Sequence, residues 1–203
     1  MKKKLIRIAI ISMMAIMLCG CSPILIAIEK VNDYNVSRAD NIIINEETGE
    51  PYYMEFAPES DYYSVSLPVT GGGWLKQRKP RNEYHLVLDN FNESISVFIE
   101  AIPKDRVNPQ LADLESFDES YRENVCGEFG HAKEVEVPFE DPAIIGINSY
   151  YYEVDGYSMT SKAQVSIFET EKAYYTFVIT GEGNLYDALI DEINASLVTF
   201  REN

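Results

Sequence analysis

Two histidines and three cysteines are the residues of this chain best suited to nucleophilic or acid–base chemistry. A catalytic thiol needs a base beside it, and the candidate pair is Cys126 with His131, which lies beyond Gly127 and Gly130. Neither His131 nor His85 has a second histidine, cysteine or glutamate at the spacing of a zinc site. We therefore expect Cys126 to be a partly buried structural thiol and the chain not to be an enzyme.

Other catalytic and cofactor patterns are incomplete. The Gly-x-Ser-x-Gly sequence is absent, and a chain with two histidines has few ways to build a serine triad. Residues 71–73 are three glycines without the Lys-Ser/Thr of a phosphate loop. The turn at residues 89–93 gathers oxygen ligands but lacks the glycine and distal glutamate of a calcium loop. We expect no cofactor and no metal, although carboxylates brought close by folding could hydrolyse glycosides.

A cluster of positive charge follows the single tryptophan. The chain has a formal net charge of −16, yet four basic residues fall within a few positions of each other, and with the tryptophan they form our candidate partner-binding loop: Trp74, Lys76, Arg78, Lys79 and Arg81. A basic loop with an aromatic residue can contact anionic lipid headgroups, an anionic cell-wall polymer or an acidic protein. The same composition also fits a solvated loop between two strands.

Tyrosines crowd the last third of the chain. Successive residues of a strand point to opposite faces of the sheet, so some of these rings should lie away from the core. Exposed tyrosines are frequent in recognition surfaces, although tyrosine favours strands whatever the function. We take Tyr151 and Tyr175 as candidate partner-binding residues on the sheet face.

The N-terminus carries the pattern of an export signal. Residues 1–7 contain four basic residues and no acid, residues 8–18 are mainly apolar, and Leu18, Cys19, Gly20 and Cys21 follow. This segment resembles the lipobox of bacterial lipoproteins. The resemblance implies cleavage before Cys21 and a diacylglycerol thioether on its sulfur, for which the thiolate is the nucleophile. Residues 1–20 are then a signal peptide, and the protein is held on the cell membrane, facing outside the cytoplasm.

An uncleaved anchor is the alternative for this segment. Residues 8–28 are long enough to cross a bilayer, which takes about 20 apolar residues. Pro23 and the cysteine at the lipobox position favour lipidation. In both cases the basic end stays inside the cell and the rest of the chain faces outward.

The charge and the cysteine content of the predicted exported part limit its possible partners and its disulfides. Residues 1–20 hold four of the 17 basic residues and none of the 33 acidic ones, so the remaining chain is strongly acidic. Such a surface repels phosphate backbones, and we expect no nucleic-acid partner. Cys126 is the one cysteine beyond Cys21, so no disulfide can form within the domain.

Hydrophobic patterning predicts one mixed domain over residues 51–203, preceded by a tether over residues 21–50. Strands are predicted at 53–56, 62–67, 84–88, 95–99, 147–154, 160–169 and 173–180. A helix is predicted from an Asn108-Pro109 cap to Gly127, with Asp118 among the acids of its polar face. Asn184 should cap a second helix whose apolar stripe runs to Phe200.

Strands joined by short turns, with two helices between and after them, indicate an antiparallel β-sheet with helices packed on it, an α+β fold. Over residues 53–200 the order resembles the sandwich of the PsbP and Mog1 type. The resemblance rests on Leu67-Pro68, on Trp74 shortly after it, and on the closing segment from Ser196 to Phe200. It implies an accessory or assembly protein without an active site.

These observations predict a lipid-anchored, non-catalytic domain that binds a protein or another component of the cell envelope. Two alternatives remain open at this point. A solute- or cation-binding lipoprotein would need a deep pocket, and a small envelope hydrolase would need a cleft with convergent carboxylates or a histidine partner.

Overall fold

A computed structural model describes residues 36–37, 39–49, 51–69, 73–78, 80–90, 94–111, 113–126, 132–137, 142–155, 160–196 and 199–203. Residues 37–203 form one compact unit. The strands are β1 (Val36–Ser37), β2 (Asn41–Ile44), β3 (Pro51–Phe56), β4 (Tyr63–Pro68), β5 (Leu75–Gln77), β6 (His85–Asn90), β7 (Ile95–Pro103), β8 (Lys133–Glu134), β9 (Gly146–Asp155), β10 (Thr160–Glu169), β11 (Ala173–Glu182) and β12 (Arg201–Glu202). The helices are α1 (Leu114–Tyr121) and α2 (Gly183–Ser196).

The strands form two sheets. The larger has the order β1-β5-β6-β7-β11-β10-β9-β8, and the smaller has the order β12-β4-β3-β2. In the larger sheet, neighbouring strands pair antiparallel along the order β6, β7, β11, β10 and β9. In the smaller sheet, the neighbours among β2, β3, β4 and β12 are also antiparallel. The predicted α+β class, an antiparallel sheet with helices packed on it, is confirmed.

Both faces of the large sheet are covered. On one face, the apolar side of β7 and alternate residues of β11 pack with Phe56, Val65 and Leu67 of the small sheet and with Tyr186 and Ile193 of α2. On the other face, the alternate residues of β9, β10 and β11 pack against α1. The register places Val165 beside Tyr150 and Val178 on this second face. The domain therefore has two cores, one on each side of the large sheet.

The first predicted helix is shorter than the sequence pattern indicated. Pro109–Leu111 form a single 3-10 turn. Helix α1 begins only at Leu114, with an N-cap provided by Asp113, whose side chain accepts the Ser116 N–H at 2.8 Å. Asp113 is the N-cap because its backbone is extended, so its carboxylate can accept a hydrogen bond from a free backbone N–H in the first turn of the helix. Residues Arg122–Cys126 continue as a π-helical segment, and Gly127 lies outside the described residues.

The second predicted helix differs at both ends. Helix α2 already begins at Gly183, so Asn184 lies inside it, and the helix ends at Ser196. Phe200 lies beyond the helix, fully buried in the core with the small sheet. Its ring stands edge-on to Tyr175, with a centroid separation of 5.0 Å.

Regular pairing also begins before residue 51, within the segment predicted as a tether. Strand β2 pairs with β3, with Ile42 opposite Met54 and Ile43 opposite Tyr53. The run of β-branched residues in β2 favours a strand, and β3 supplies the neighbour.

Candidate functional site

The predicted partner-binding residue Trp74 belongs to the core. Its side chain is 0% exposed, and its indole N–H donates to the Pro68 carbonyl oxygen at 2.9 Å. A buried indole needs an acceptor for its N–H, and the chain supplies one at the end of β4. Trp74 is therefore a core residue in this structure, and its contact with a partner stays a prediction.

The two candidate tyrosines are also taken up by packing. Tyr175 is 0% exposed, its ring is stacked on Phe168 at 4.9 Å, and its hydroxyl donates to the Glu202 carboxylate at 2.8 Å. Tyr151 is half-buried against Tyr186, at a centroid separation of 6.2 Å. We expected one face of the sheet to be free, whereas both faces carry a second layer. Tyr175 is thus a structural residue, and Tyr151 presents only part of its ring.

The basic loop divides into a structural and a free part. The Lys76 ammonium donates to both carboxylate oxygens of Asp40, at 2.9 and 2.8 Å, and to the Ala57 carbonyl oxygen at 2.7 Å. Arg78 and Arg81 are exposed, and neither guanidinium forms an ion pair with a described residue. Lys79 lies outside the described residues.

A third arginine, Arg106, contacts the turn that contains Arg81. Arg106 follows β7, and its guanidinium carbon lies 4.7 Å from the ring centroid of Tyr84, with one nitrogen 3.5 Å from the Glu83 carboxylate. The sequence analysis did not identify Arg106, because this residue is distant from Arg81 along the chain. The two positions come together only because antiparallel pairing of β6 with β7 brings the end of β7 beside the start of β6. We call Arg78, Arg81 and Arg106 the arginine surface.

The turn before β6 that carries Arg81 is held in place by local hydrogen bonds. The Arg81 N–H donates to Nδ1 of His85 at 3.3 Å, and the Asn82 amide donates to the Glu100 carboxylate at 2.7 Å. The Tyr84 N–H donates to the Asn82 side-chain oxygen at 2.9 Å. Burial lowers the pKa of His85, with Arg81 acting in the same direction and Glu100 against it. His85 is therefore neutral at pH 7 and serves as an acceptor.

The arginine surface can bind anions. A guanidinium presents five donors in a planar fork that matches a carboxylate or a phosphate in two-point hydrogen bonds. Since Arg78 and Arg81 are exposed, they can form such bonds without breaking an ion pair within the described part of the chain.

A buried polar cluster under α1 was missed by the sequence analysis. Asp118, predicted on the polar face of the helix, is buried, and its carboxylate accepts from the Tyr150 hydroxyl at 2.6 Å, from Asn148 at 3.2 Å and from Arg122 at 3.2 Å. The Arg122 guanidinium also lies over the Tyr150 ring, at 4.5 Å. Every partner is internal, so we interpret the cluster as structural.

The cysteine and metal predictions concern three further positions. Cys126 is buried, and burial raises the pKa of its thiol, which keeps it in the less nucleophilic protonated form at neutral pH. His131 lies outside the described residues. Asp89 accepts from Ser96 at 2.6 Å and from Gln77 at 3.0 Å, so its carboxylate already has partners.

The described part of the chain lacks two further features. Within it, no three histidine, cysteine, aspartate or glutamate side chains are grouped so that they could hold a metal ion. None of the described helices is long and apolar enough to cross a membrane. Cys21 and the rest of the predicted signal lie outside these residues.

Comparison with known proteins gave structural matches alone. No protein-family model and no curated protein sequence matches the chain. A solved structure from Bacteroides thetaiotaomicron matches with a TM-score of 0.48 and 12% identity over 73% of this chain, which spans 48% of that protein. The Ran-binding protein Mog1p of Saccharomyces cerevisiae matches with a TM-score of 0.47 and 9% identity, over 74% of this chain and 95% of that one.

The cyanobacterial PsbP of Synechocystis matches with a TM-score of 0.44 and 17% identity, over 78% of this chain and 97% of its own. Mog1 and PsbP are the two folds that the sequence order resembles. Identities this low concern the fold and carry no binding residue over to this chain.

Proposed function

We propose that this protein is a bacterial lipoprotein, anchored to the cell membrane through Cys21, whose non-catalytic domain binds an acidic protein or an anionic envelope polymer. The exposed guanidinium groups of Arg78 and Arg81, which form no ion pair with a described residue, carry this proposal. The chain has a net charge of −16, and exposed cations on so acidic a protein favour a binding role.

The proposed attachment follows from the lipobox pattern. One acyl chain binds a membrane only marginally, whereas the diacylglycerol implied for Cys21 supplies two chains and makes the attachment stable. The acidic remainder of the protein is repelled by anionic headgroups, which supports a domain that faces outward from the membrane.

The absence of catalysis is part of the proposal. The thiol of Cys126 is buried and protonated, and the carboxylate of Asp118 is hydrogen-bonded within the core. His85 accepts a backbone N–H from Arg81 rather than standing beside a nucleophile. These three arrangements favour a structural role for the groups that a hydrolase would use.

The experiment that tests the proposed function compares Arg78→Ser and Arg81→Ser with a matched control, Lys133→Ser. Lys133 is exposed on β8, so the control removes the same charge from another part of the surface. In-cell cross-linking followed by purification from membranes should give a defined partner that both arginine variants lose and the control keeps. Retention on a polyglutamate or polyphosphate resin, measured in parallel, distinguishes a protein partner from an anionic polymer.

Equal binding by all four proteins would contradict the proposal, because the arginine surface would then contribute nothing. Loss of binding in the control as well would show a general charge effect rather than a site.

A further inference from the structure

Strand β2 presents an apolar edge. It ends the small sheet, and among the described strands β3 is its one neighbour. Its three consecutive isoleucines are unusually accessible: Ile42 is 50% exposed, Ile43 38% and Ile44 47%. Native sheets protect open edges because unpaired backbone groups with apolar side chains recruit other strands. An edge that keeps three exposed isoleucines therefore indicates an interaction surface.

The beginning of this edge is fixed by Asp40. Its backbone N–H donates to the Glu55 carbonyl oxygen at 2.9 Å, and its carboxylate accepts the Ala57 N–H at 2.9 Å. The same carboxylate is paired with Lys76 at 2.8 Å. These contacts tie the start of β2 to β3 and β5.

The other end of the edge is fixed by a turn. The side-chain Oδ1 of Asn45 accepts hydrogen bonds from the backbone N–H groups of Glu47 and Thr48, at 2.9 and 3.3 Å. The backbone carbonyl oxygen of Asn45 accepts the Gly49 N–H at 2.8 Å. Gly49 takes a φ of 73°, which glycine adopts without strain. Because both ends are held, an incoming strand meets an ordered template and less conformational entropy is lost on binding.

One backbone amide of the edge has a replaceable partner. The Ile42 N–H donates to the side-chain Oδ1 of the adjacent Asn41 at 2.9 Å. A side chain that satisfies a strand amide locally can be displaced by the carbonyl oxygen of a pairing strand. Asn41 also contacts the Glu55 carboxylate through its amide nitrogen at 3.3 Å.

The charges around β2 indicate which kind of molecule can bind at this edge. Glu46 and Glu47 are exposed at the end of the strand, whereas the carboxylate of Asp40 is already paired with Lys76. Two copies paired edge to edge would repel each other, because each chain carries a net charge of −16. An anionic membrane surface would be repelled for the same reason. A strand with a basic residue at the end beside Glu46 and Glu47 would instead complement them.

We propose that the β2 edge binds an extended segment of another protein as an added antiparallel strand. This segment has alternating apolar side chains and a lysine or arginine at the end beside Glu46 and Glu47. Strand addition draws affinity from backbone hydrogen bonds and specificity from alternate side chains. The β2 edge is formed by other residues than the arginine surface, so the proposal goes beyond the function proposed above and is tested by other variants.

The test uses a labelled probe peptide, Lys-Val-Thr-Val-Thr-Val-Lys, whose length of about seven residues matches an ordinary strand. Its binding to the full-length protein in detergent is measured by fluorescence anisotropy. Two comparison peptides replace both lysines by glutamate, or the central valine by proline, which cannot complete the ladder. The edge variant is Ile42→Ser with Ile44→Ser. The matched control is Ile145→Ser, since Ile145 is 63% exposed and lies outside β2.

We expect the lysine peptide to bind and the two comparison peptides to bind at least about tenfold more weakly, a difference of about 1.4 kcal/mol. The edge variant should lose about tenfold in affinity and the Ile145 control less than about twofold. Glu46→Gln with Glu47→Gln should weaken binding and its dependence on salt. All variants are checked for folding by circular dichroism.

Four results would overturn the proposal. The first is a lysine peptide that does not bind the wild-type protein, and the second is a proline peptide that binds as well as the lysine peptide. A wild-type dimer lost in the edge variant would make a second copy the occupant. Amide protection at residues 41–44 on reconstitution into lipid nanodiscs without peptide would make the membrane the occupant.

Discussion

The hydroxyl of Tyr150 donates a 2.6 Å hydrogen bond to the carboxylate of Asp118, joining β9 of the large sheet to helix α1. The bond lies inside the second core, where Arg122 and Asn148 provide the other donors. A buried carboxylate is stable only when its oxygens are satisfied. This cluster therefore fixes the position and rotation of α1 on the sheet.

Tyr150→Phe should destabilise the domain by about 1–3 kcal/mol, because it removes one donor from a buried acceptor. Asp118→Ala should also cost about 1–3 kcal/mol, since it leaves the Tyr150 hydroxyl and the Asn148 amide without their acceptor. Denaturant unfolding measures both. The matched control is Tyr151→Phe, whose lost hydroxyl bonds to the exposed Glu153; it should change stability by less than about 0.5 kcal/mol. Equal effects of the two tyrosine variants would contradict a special role for the cluster.

Alkaline pH should destabilise the fold through Tyr121. Burial raises its pKa to about 12, against a partly opposing hydrogen bond with Thr176. The tyrosine of an unfolded chain has a pKa of about 10. Between these values the unfolded chain releases a proton that the folded one keeps, so the free energy of unfolding falls as pH rises.

The measurement is denaturant unfolding at about pH 8 and about pH 11, on either side of the unfolded pKa. Tyr121→Phe should show a smaller fall in stability over this interval than the wild-type protein. The same fall in both proteins would assign the alkaline destabilisation to other groups.

Gly181 of β11 lies where a side chain would collide with the core. A Cβ added there would approach Cγ1 of Ile95 to 2.9 Å, the Ser94 carbonyl oxygen to 3.3 Å and Cβ of Tyr186 to 3.4 Å. Gly181→Ala should therefore cost about 1–3 kcal/mol through overpacking. The control is Gly146→Ala, whose Cβ would meet only the end of the flexible Leu114 side chain, at 2.9 Å. Thermal unfolding should give the larger loss for Gly181, and the reverse order would contradict this account.

Cys21→Ala should abolish incorporation of a fatty acid into the protein. The thiol is the atom that the lipobox resemblance assigns to the thioether, and serine or alanine cannot replace it in this reaction. Metabolic labelling followed by gel electrophoresis measures the effect, with Cys126→Ala as the control that keeps its label. No label in the wild-type protein would leave an uncleaved membrane anchor over residues 8–28 as the explanation.

The strands were predictable where alternation and turns agree. Residues 160–169 were predicted as a strand and form β10 with the same bounds. Apolar and polar residues alternate through this region, and hairpin turns fix its ends. The start of α1 was not predictable in the same way, because Asn108 and Asp113 both fit a cap. Asn108 accepts the Gln110 N–H of the 3-10 turn, whereas Asp113 accepts the Ser116 N–H at the start of α1.

The candidate site was less predictable than the strands. A local sequence pattern shows which face of a strand a residue lies on, but it does not show whether another layer of the fold covers that face. Alternation places Tyr174 and Tyr175 on opposite faces of β11, and both are buried because each face meets another layer. Asp118 looks like a solvent-facing acid of an amphipathic helix until its partners on β9 are known. Arg106 joins the candidate surface only through the register of β6 and β7.

The pairing of β12 with β4, with Arg201 opposite Ser64, joins residues that lie far apart in the sequence. Contacts between such distant residues form slowly, because the loop between them must close first. Phe200 packs in the first core beside Tyr63 of the same strand β4. A chain in which β12 has not yet paired therefore leaves the first core open, and it is exposed to proteases and to aggregation until this strand is in place.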